Sequence, residues 1–291
     1  MVIVRLRGGL GNQLFQYAAG RRIALLGGAP LKLDLTAFEL STRSYRLNHY
    51  NIVEEVASPA EIRRLSGVGH EGAVARVCRH LNNRLHINKR SVLRERHYRF
   101  DPRFLRRLDN VYLDGYWQSE KYFKDIENTV REEFTLKQPP DGMNSAFLAT
   151  VGHCESVSVH VRRGDYVANP ATNRVHGSCD PDYYRRAADC IAESVDKPHF
   201  FVFSDDPRWA RSSLSFDGPV DYVDHNGEDT DYEDLRLMSR CKHHILANST
   251  FSWWGAWLCH NPDKVVVAPR KWFNDPSLDT SDLIPPSWRR V

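Results

Sequence analysis

The 291-residue chain has no apolar run near the roughly 18 residues needed to span a bilayer. Its opening, "MVIVRLRGGLGNQ", lacks the apolar core of a secretory leader, so a cytoplasmic protein is expected. The six cysteines (Cys78, Cys154, Cys179, Cys190, Cys241 and Cys259) include no CxxC pair and read as reduced thiols rather than a disulfide framework. "CKHH" at 241–244 has neither zinc-finger spacing nor a second half-site, so no metal site is expected there. Zinc knuckles and stacked-aromatic signatures are absent too, which argues against nucleic acid as a partner. With 41% hydrophobic and 26% charged residues, disorder is excluded and a folded chain of one large or two ordinary domains remains.

What is present is a β-α rhythm. "MVIVRLRGGLGNQLFQYAAGRRIALLGG" reads as strand, glycine turn and helix. Leu14, Phe15, Ala18, Ala19, Ile23 and Leu26 recur at helical spacing, and Gly27-Gly28 stops the pattern. "LKLDL" at 31–35 is the next strand. Residues 58–107 look largely helical. "NVYLDGYW" at 110–117 is strand-like, with a helix through "SEKYFKDIENTVREEF". "LKQPPDGMNS" at 136–145 is the best linker. The rhythm then restarts with strands at "SVSVHV", "HFFVFS", "VDYV", "HHILA" and "KVVVAP". The expected architecture is α/β with two domains, residues 1–140 and 146–291, facing across a crevice.

Three strand ends in the second half carry suspicious polar groups. Ligands bind open parallel sheets at the carboxyl ends of their strands. In "SVSVHVRRGDYV", alternation sets Val157, Val159 and Val161 on one face and His160 and Arg162 on the other, as in a half-buried strand. Arg163 then points away and is expected to be structural, paired with a carboxylate. "FFVFSDDP" delivers Asp205 and Asp206, for which a plain helix cap is the competing reading. "HHILANSTFSWWGAWL" delivers Ser249, Thr250 and Ser252 at the start of a tryptophan-rich helix, a natural anion site. A phosphate ester suits Arg162 and the hydroxyls. Asp206 and Asp234 would suit an N–H-rich base. The opening "RGGLGNQ" fails as a dinucleotide fingerprint at its third glycine, and no Gly-Lys-Ser/Thr makes it a P-loop. It leaves Gly11, Asn12 and Gln13 where backbone and amides can approach a ligand.

These segments resemble the family 11 glycosyltransferases, the α-1,2-fucosyltransferases, and bacterial members above all. The resemblance rests on "GGLGNQLFQYAAGRRIA", "GYWQSEKYF", "HVRRGDYV", "HGSCDPDYY", "FSDDP" and "LMSRCKHHILANSTFSWWGAWL". It implies a GT-B fold of two Rossmann-like domains, with the second binding GDP-β-L-fucose and the first serving a galactoside acceptor. Transfer would invert to an α-1,2 bond without metal or other cofactor. It further implies donor contacts from Gly11, Asn12, His160, Arg162, Asp205, Asp206, Asp234, Ser249, Thr250 and Ser252. Gln13, Trp117 and Gln118 would stand on the acceptor side. Some relatives carry a glutamate about ten residues beyond the motif histidine. Here "NPATNR" offers no carboxylate, so His176 and Asp165 join Arg162 as catalytic candidates.

One enzyme rival is a metal-dependent GT-A transferase using "DTD" at 229–231, and a rival from another class is a non-catalytic nucleotide-sugar or glycan-binding module. A nicotinamide oxidoreductase fails with the fingerprint. Residues 60–107 hold 13 Lys/Arg against 4 Asp/Glu. That surplus reads first as a solvated face and second as a contact with anionic membrane, for an enzyme of surface-polysaccharide precursors.

Overall fold

A computed structural model describes residues 1–67, 92–106 and 110–291, apart from the side chains of Asp165 and Ala168. Most of the basic stretch therefore lies outside the described residues. The chain forms two compact units, Met1–Thr135 and Leu136–Val291.

The first unit is a four-stranded parallel sheet in the order β2-β1-β4-β3. Its strands are β1 (Val2–Arg5), β2 (Leu31–Asp34), β3 (Val92–Arg94) and β4 (Val111–Asp114). Helix α1 (Leu10–Leu26) joins β1 to β2 and ends at Gly27, where the sequence pattern stops. Helix α2 (Pro59–Ser66) opens on a capping box between Ser58 and Glu61. Strand β3 was not visible in the sequence, because three residues flanked by arginines show no alternation. The helix expected after "GYW" is broken into short 3₁₀ turns before α3 (Glu127–Glu133).

The second unit begins inside the expected linker. Asp141 caps the backbone N–H of Asn144 and starts α4 (Gly142–Gly152). Six parallel strands follow: β5 (Glu155–Val161), β6 (Pro198–Ser204), β7 (Val220–Val223), β8 (His243–Ile245), β9 (Val266–Ala268) and β10 (Arg289–Arg290). Their order is β10-β9-β8-β5-β6-β7. Counted along this unit, that is the 3-2-1-4-5-6 order of a Rossmann sheet, read from its β7 edge. The connecting helices are α5 (Gly164–Ala168), α6 (Pro170–His176), α7 (Pro181–Ala192), α8 (Pro207–Ser213), α9 (Asp231–Arg240) and α10 (Thr250–Leu258).

Strand β5 is not half-buried, contrary to what its alternation suggests. From Ser156 to Val161 the strand is buried on both faces, because it is central in a sheet with helices on each side. Val157, Val159 and Val161 pack with Tyr183, Tyr184, Ala187 and Ile191 of α7. The opposite face carries Ser156 and Ser158, whose hydrogen bonds stand in for apolar packing, and His160, which packs beside Phe251. Ser158 Oγ lies 2.8 Å from His244 Nδ1, and Ser156 Oγ accepts from the Lys242 backbone at 3.1 Å. "CKHH" is likewise dispersed. Cys241 is buried against Leu237, His243 faces Glu155, and His244 faces Ser158. Burial holds the His244 ring well below the usual imidazole range.

Candidate active site

In a sheet of this order the chain leaves in opposite directions from β5 and β8. Their carboxyl ends therefore open a crevice. Val159 pairs with Ile245. A few residues beyond lie Arg162 on one side and Asn248, Ser249 and Thr250 on the other.

Arg162 is held by Asp205 at the end of β6, with Nη1 3.0 Å from Oδ2. The same carboxylate accepts the backbone N–H groups of Arg163 (2.8 Å) and Gly164 (3.1 Å). This contact requires glycine at 164, since a Cβ there would come within 2.8 Å of Asp205 Oδ2. Asp205 thus fixes both the arginine and the turn that follows it. Arg163 takes a separate place, with its guanidinium 3.9 Å from the Trp209 ring centre and Nε 3.6 Å from Asp206. Asp206 also caps α8 through Trp209 N at 3.1 Å.

His160 is buried beside Phe251, with ring centres 5.5 Å apart. Among the described residues, its Nδ1 meets no hydrogen-bond partner. Burial and the neighbouring Arg162 push its pKa down to about 3, so the ring is neutral at physiological pH.

Tyr166 lies in α5 and touches two catalytic candidates. The Arg162 guanidinium is 5.5 Å from its ring centre, and the His176 ring stacks on it at 4.8 Å. Phe273 meets the His176 ring from another side at 5.2 Å. The His176 turn is fastened by Asn248, a residue the sequence flagged only as part of a polar run. Its buried amide donates to His176 O (2.8 Å), Gly177 O (3.3 Å) and Trp272 O (3.2 Å). Gly177 has φ +65°, and a Cβ there would meet Asn274 at 2.5 Å. Asp165 belongs to α5 by backbone, while its side chain is outside the described residues.

Ser249 caps α10 through Phe251 N at 3.3 Å, and Thr250 opens that helix. The Ser252 hydroxyl is fully buried and donates to Ala247 O and Ser249 O. Asp234, in the first turn of α9, accepts from Asn226 at 2.8 Å. Asn226 and His225 in turn bond Asn144 of α4, a network that residue pattern did not reveal. Burial raises the Asp234 carboxyl to about 7, against the opposing effect of Asn226.

In the first unit, Asn12 and Gln118 meet across 106 positions of sequence, with Gln118 Nε2 2.9 Å from Asn12 Oδ1. Gly11 is buried in the first turn of α1. Gln13 is fully buried and braces a loop. Its amide donates to Gly8 O and Ser44 O, and its oxygen accepts from Arg46 N. Trp117 is 2% exposed and packs on Phe104 and Tyr122. None of Gln13, Trp117 and Gln118 lies on the surface.

Among the described residues, no group of three or more His, Cys, Asp or Glu side chains could hold a metal ion. No described helix is long and apolar enough to cross a membrane. "DTD" sits where a 3₁₀ turn runs into α9, rather than after a strand.

The model of glycosyl transferase family 11 matches residues 93–291. The chain belongs to that family. An α-1,2-colitosyltransferase of Escherichia coli is 35% identical, with 100% of this chain and 99% of the relative covered. The O-antigen biosynthesis glycosyltransferase WbnK of Escherichia coli is 33% identical over 95% and 97%. Among solved structures, an Arabidopsis thaliana FUT1 mutant in complex with GDP shares the fold at 12% identity. Its TM-score is 0.53, with 98% of this chain and 74% of that one covered. The family 11 chain described here is thus a glycosyltransferase with the GT-B class of fold, built from two Rossmann-like units.

Proposed function

We propose that this family 11 enzyme transfers L-fucose from GDP-β-L-fucose to the 2-hydroxyl of a terminal galactoside, with inversion, during assembly of bacterial O-antigen or another surface glycan. The observation that carries the reading is Arg162, fixed by Asp205 at the switch point of a Rossmann sheet. As the C1–O bond to the β-phosphate breaks, negative charge grows on the phosphate and the sugar becomes oxocarbenium-like. Arg162 and the start of α10, with Ser249 and Thr250, meet that charge with donors already in place. The acceptor O2 attacks C1 from the opposite face. Its proton passes to His176 or Asp165, and GDP leaves. His160 and Asp205 support the donor side. Asp206, Asp234 and Ser252 belong to the same proposed donor pocket of the second unit, while Gly11 and Asn12 are the first unit's proposed donor-binding residues. Gln13, Trp117 and Gln118 shape the acceptor side from within the first unit.

The similarity to a colitosyltransferase over the whole chain favours a second donor reading, GDP-colitose. Labelled GDP-fucose and GDP-colitose, each offered to a panel of β-galactosides with linkage analysis, test both. An α-1,2-fucosylated product is expected. Colitose transfer alone would move the donor assignment, and binding of either nucleotide sugar without turnover would favour the non-catalytic module. No metal is needed for this chemistry, so EDTA should leave activity unchanged. A cytoplasmic enzyme touching anionic lipid through residues 60–107 is part of the proposal. Cosedimentation with anionic but not neutral liposomes tests it.

A further inference from the structure

The four strands of the first unit end in charges of alternating sign. Across the sheet order the last residues are Asp34, Arg5, Asp114 and Arg94. Register puts Arg5 beside Asp34, and Arg94 beside Asp114. Arg7 joins from the loop after β1.

Among the described residues, the charges are not matched one to one. Asp34 is buried and spends its oxygens on Thr36 and Tyr112. Glu95 accepts from the backbone of Tyr116 and Trp117, and Arg7 also feels its charge. Asp114 is left as the shared neighbour of three arginines, at 3.8 Å from Arg5, 3.7 Å from Arg7 and 3.4 Å from Arg94. These are charge contacts, too long for good hydrogen bonds. The contrast within the same unit is Arg22, which grips Asp125 as a fork with contacts of 2.6 and 2.9 Å.

Asp114 is mostly covered, with a side chain 17% exposed, whereas the arginines are open at 36%, 36% and 66%. The carboxylate acts as a floor that gathers the three guanidiniums, of which Arg94 is the most open to solvent. Arg7 is steadied by the Tyr116 ring, 4.7 Å away. The row stands at the carboxyl edge of a parallel sheet, where ligands bind. Helix α1 starts beside it with no side-chain cap and no acidic residue in its first turn.

We propose that Arg5, Arg7 and Arg94 form an anion subsite in the first unit that binds a negatively charged oxygen group of the acceptor. The group is a phosphate or a sugar carboxylate, since guanidinium forks suit both. Anion binding stands on the geometry alone. Its assignment to the acceptor rests on the glycosyltransferase reading.

The test is calorimetric titration of the whole protein with inorganic pyrophosphate and, separately, glucuronate, both in excess GDP so that the nucleotide site is filled. Binding of one or both anions is expected, and which one binds separates a phosphate from an acidic sugar. Arg94→Gln should weaken that binding about tenfold, as loss of one charge-assisted contact implies. Arg94 is the most exposed of the three, so this variant should fold, and an unchanged melting curve checks that. The variant's preference for a charged over a neutral galactoside should fall by a similar factor. No binding of either anion at millimolar concentration, or equal binding by Arg94→Gln, overturns the subsite. Failure of GDP itself to bind would instead count against the proposed function, and the difference between wild type and Arg94→Gln would then be the readout that decides the subsite.

Discussion

Asp205 holds Arg162 and the backbone of the turn that follows it with the two oxygens of a single carboxylate. The arginine and its loop are therefore one rigid piece, set at the end of two neighbouring strands.

Replacing Arg162 by lysine keeps the charge and loses the fork. Activity, measured as kcat/KM for the GDP-sugar, should fall by roughly 10²–10³-fold, the range seen when a preorganised donor to a developing oxyanion is removed. Near-normal turnover in Arg162→Lys would sink the assignment.

Asp205→Asn keeps an acceptor oxygen for one backbone N–H and removes the charge that positions Arg162. The expected result is a loss of kcat of at least about tenfold with the fold retained. The melting temperature should drop by several degrees, in line with about 1–3 kcal/mol for a weakened hydrogen-bond cluster. If Asp205 contacted only the nucleotide, KM would change while the melting curve stayed put.

Asp234 gives a pH dependence with a definite sign. Its carboxyl titrates at about 7 in the fold against an ordinary value of 3.8, chiefly because it is buried. The folded state thus holds this proton more tightly than the unfolded chain does. Stabilisation from the group is complete below pH 3.8 and is lost as the pH rises through 7. Asp234→Asn should flatten that part of the stability profile and be more stable than wild type at pH 8. Denaturant melts at pH 5 and pH 8 would show it, and parallel losses in both proteins would refute it.

Asn248→Ala leaves three carbonyls without their shared donor. A cost of roughly 2–4 kcal/mol is expected, as a buried hydrogen-bond set is broken. Because one of those carbonyls belongs to His176, the pH profile of kcat should also change. A variant that loses stability while keeping the profile would reduce Asn248 to a packing role.

Several elements were legible because local chemistry alone dictates them. The helical spacing from Leu14 to Leu26 with its glycine stop, the helix cap read at Asp206, and the apolar runs of β5 and β6 all follow from neighbours in sequence. The family, too, could be read from ordered motifs. The three-residue strand β3 and the two-residue strand β10 could not, because so short a strand exists only through its partner's hydrogen bonds.

The sequence by itself determined which groups stand at strand ends: His160 and Arg162, Asp205 and Asp206, Ser249 and Thr250. Only the tertiary structure decided what each one does there. Parallel register across β5, β6 and β8 brings Asp205 to Arg162 over 40 or so positions and Asn248 to His176 over 72. It also divides the neighbouring carboxylates, leaving Asp206 to cap a helix. The alternation in "SVSVHV" looked half-buried because period alone cannot tell solvent from a second helical layer. Burial of both faces turned its serines into internal hydrogen-bonding groups and set its histidine against Phe251. Parallel register in the separate sheet of the first unit lined up Arg5, Asp114 and Arg94, and with Arg7 from the following loop gave Asp114 three arginine neighbours.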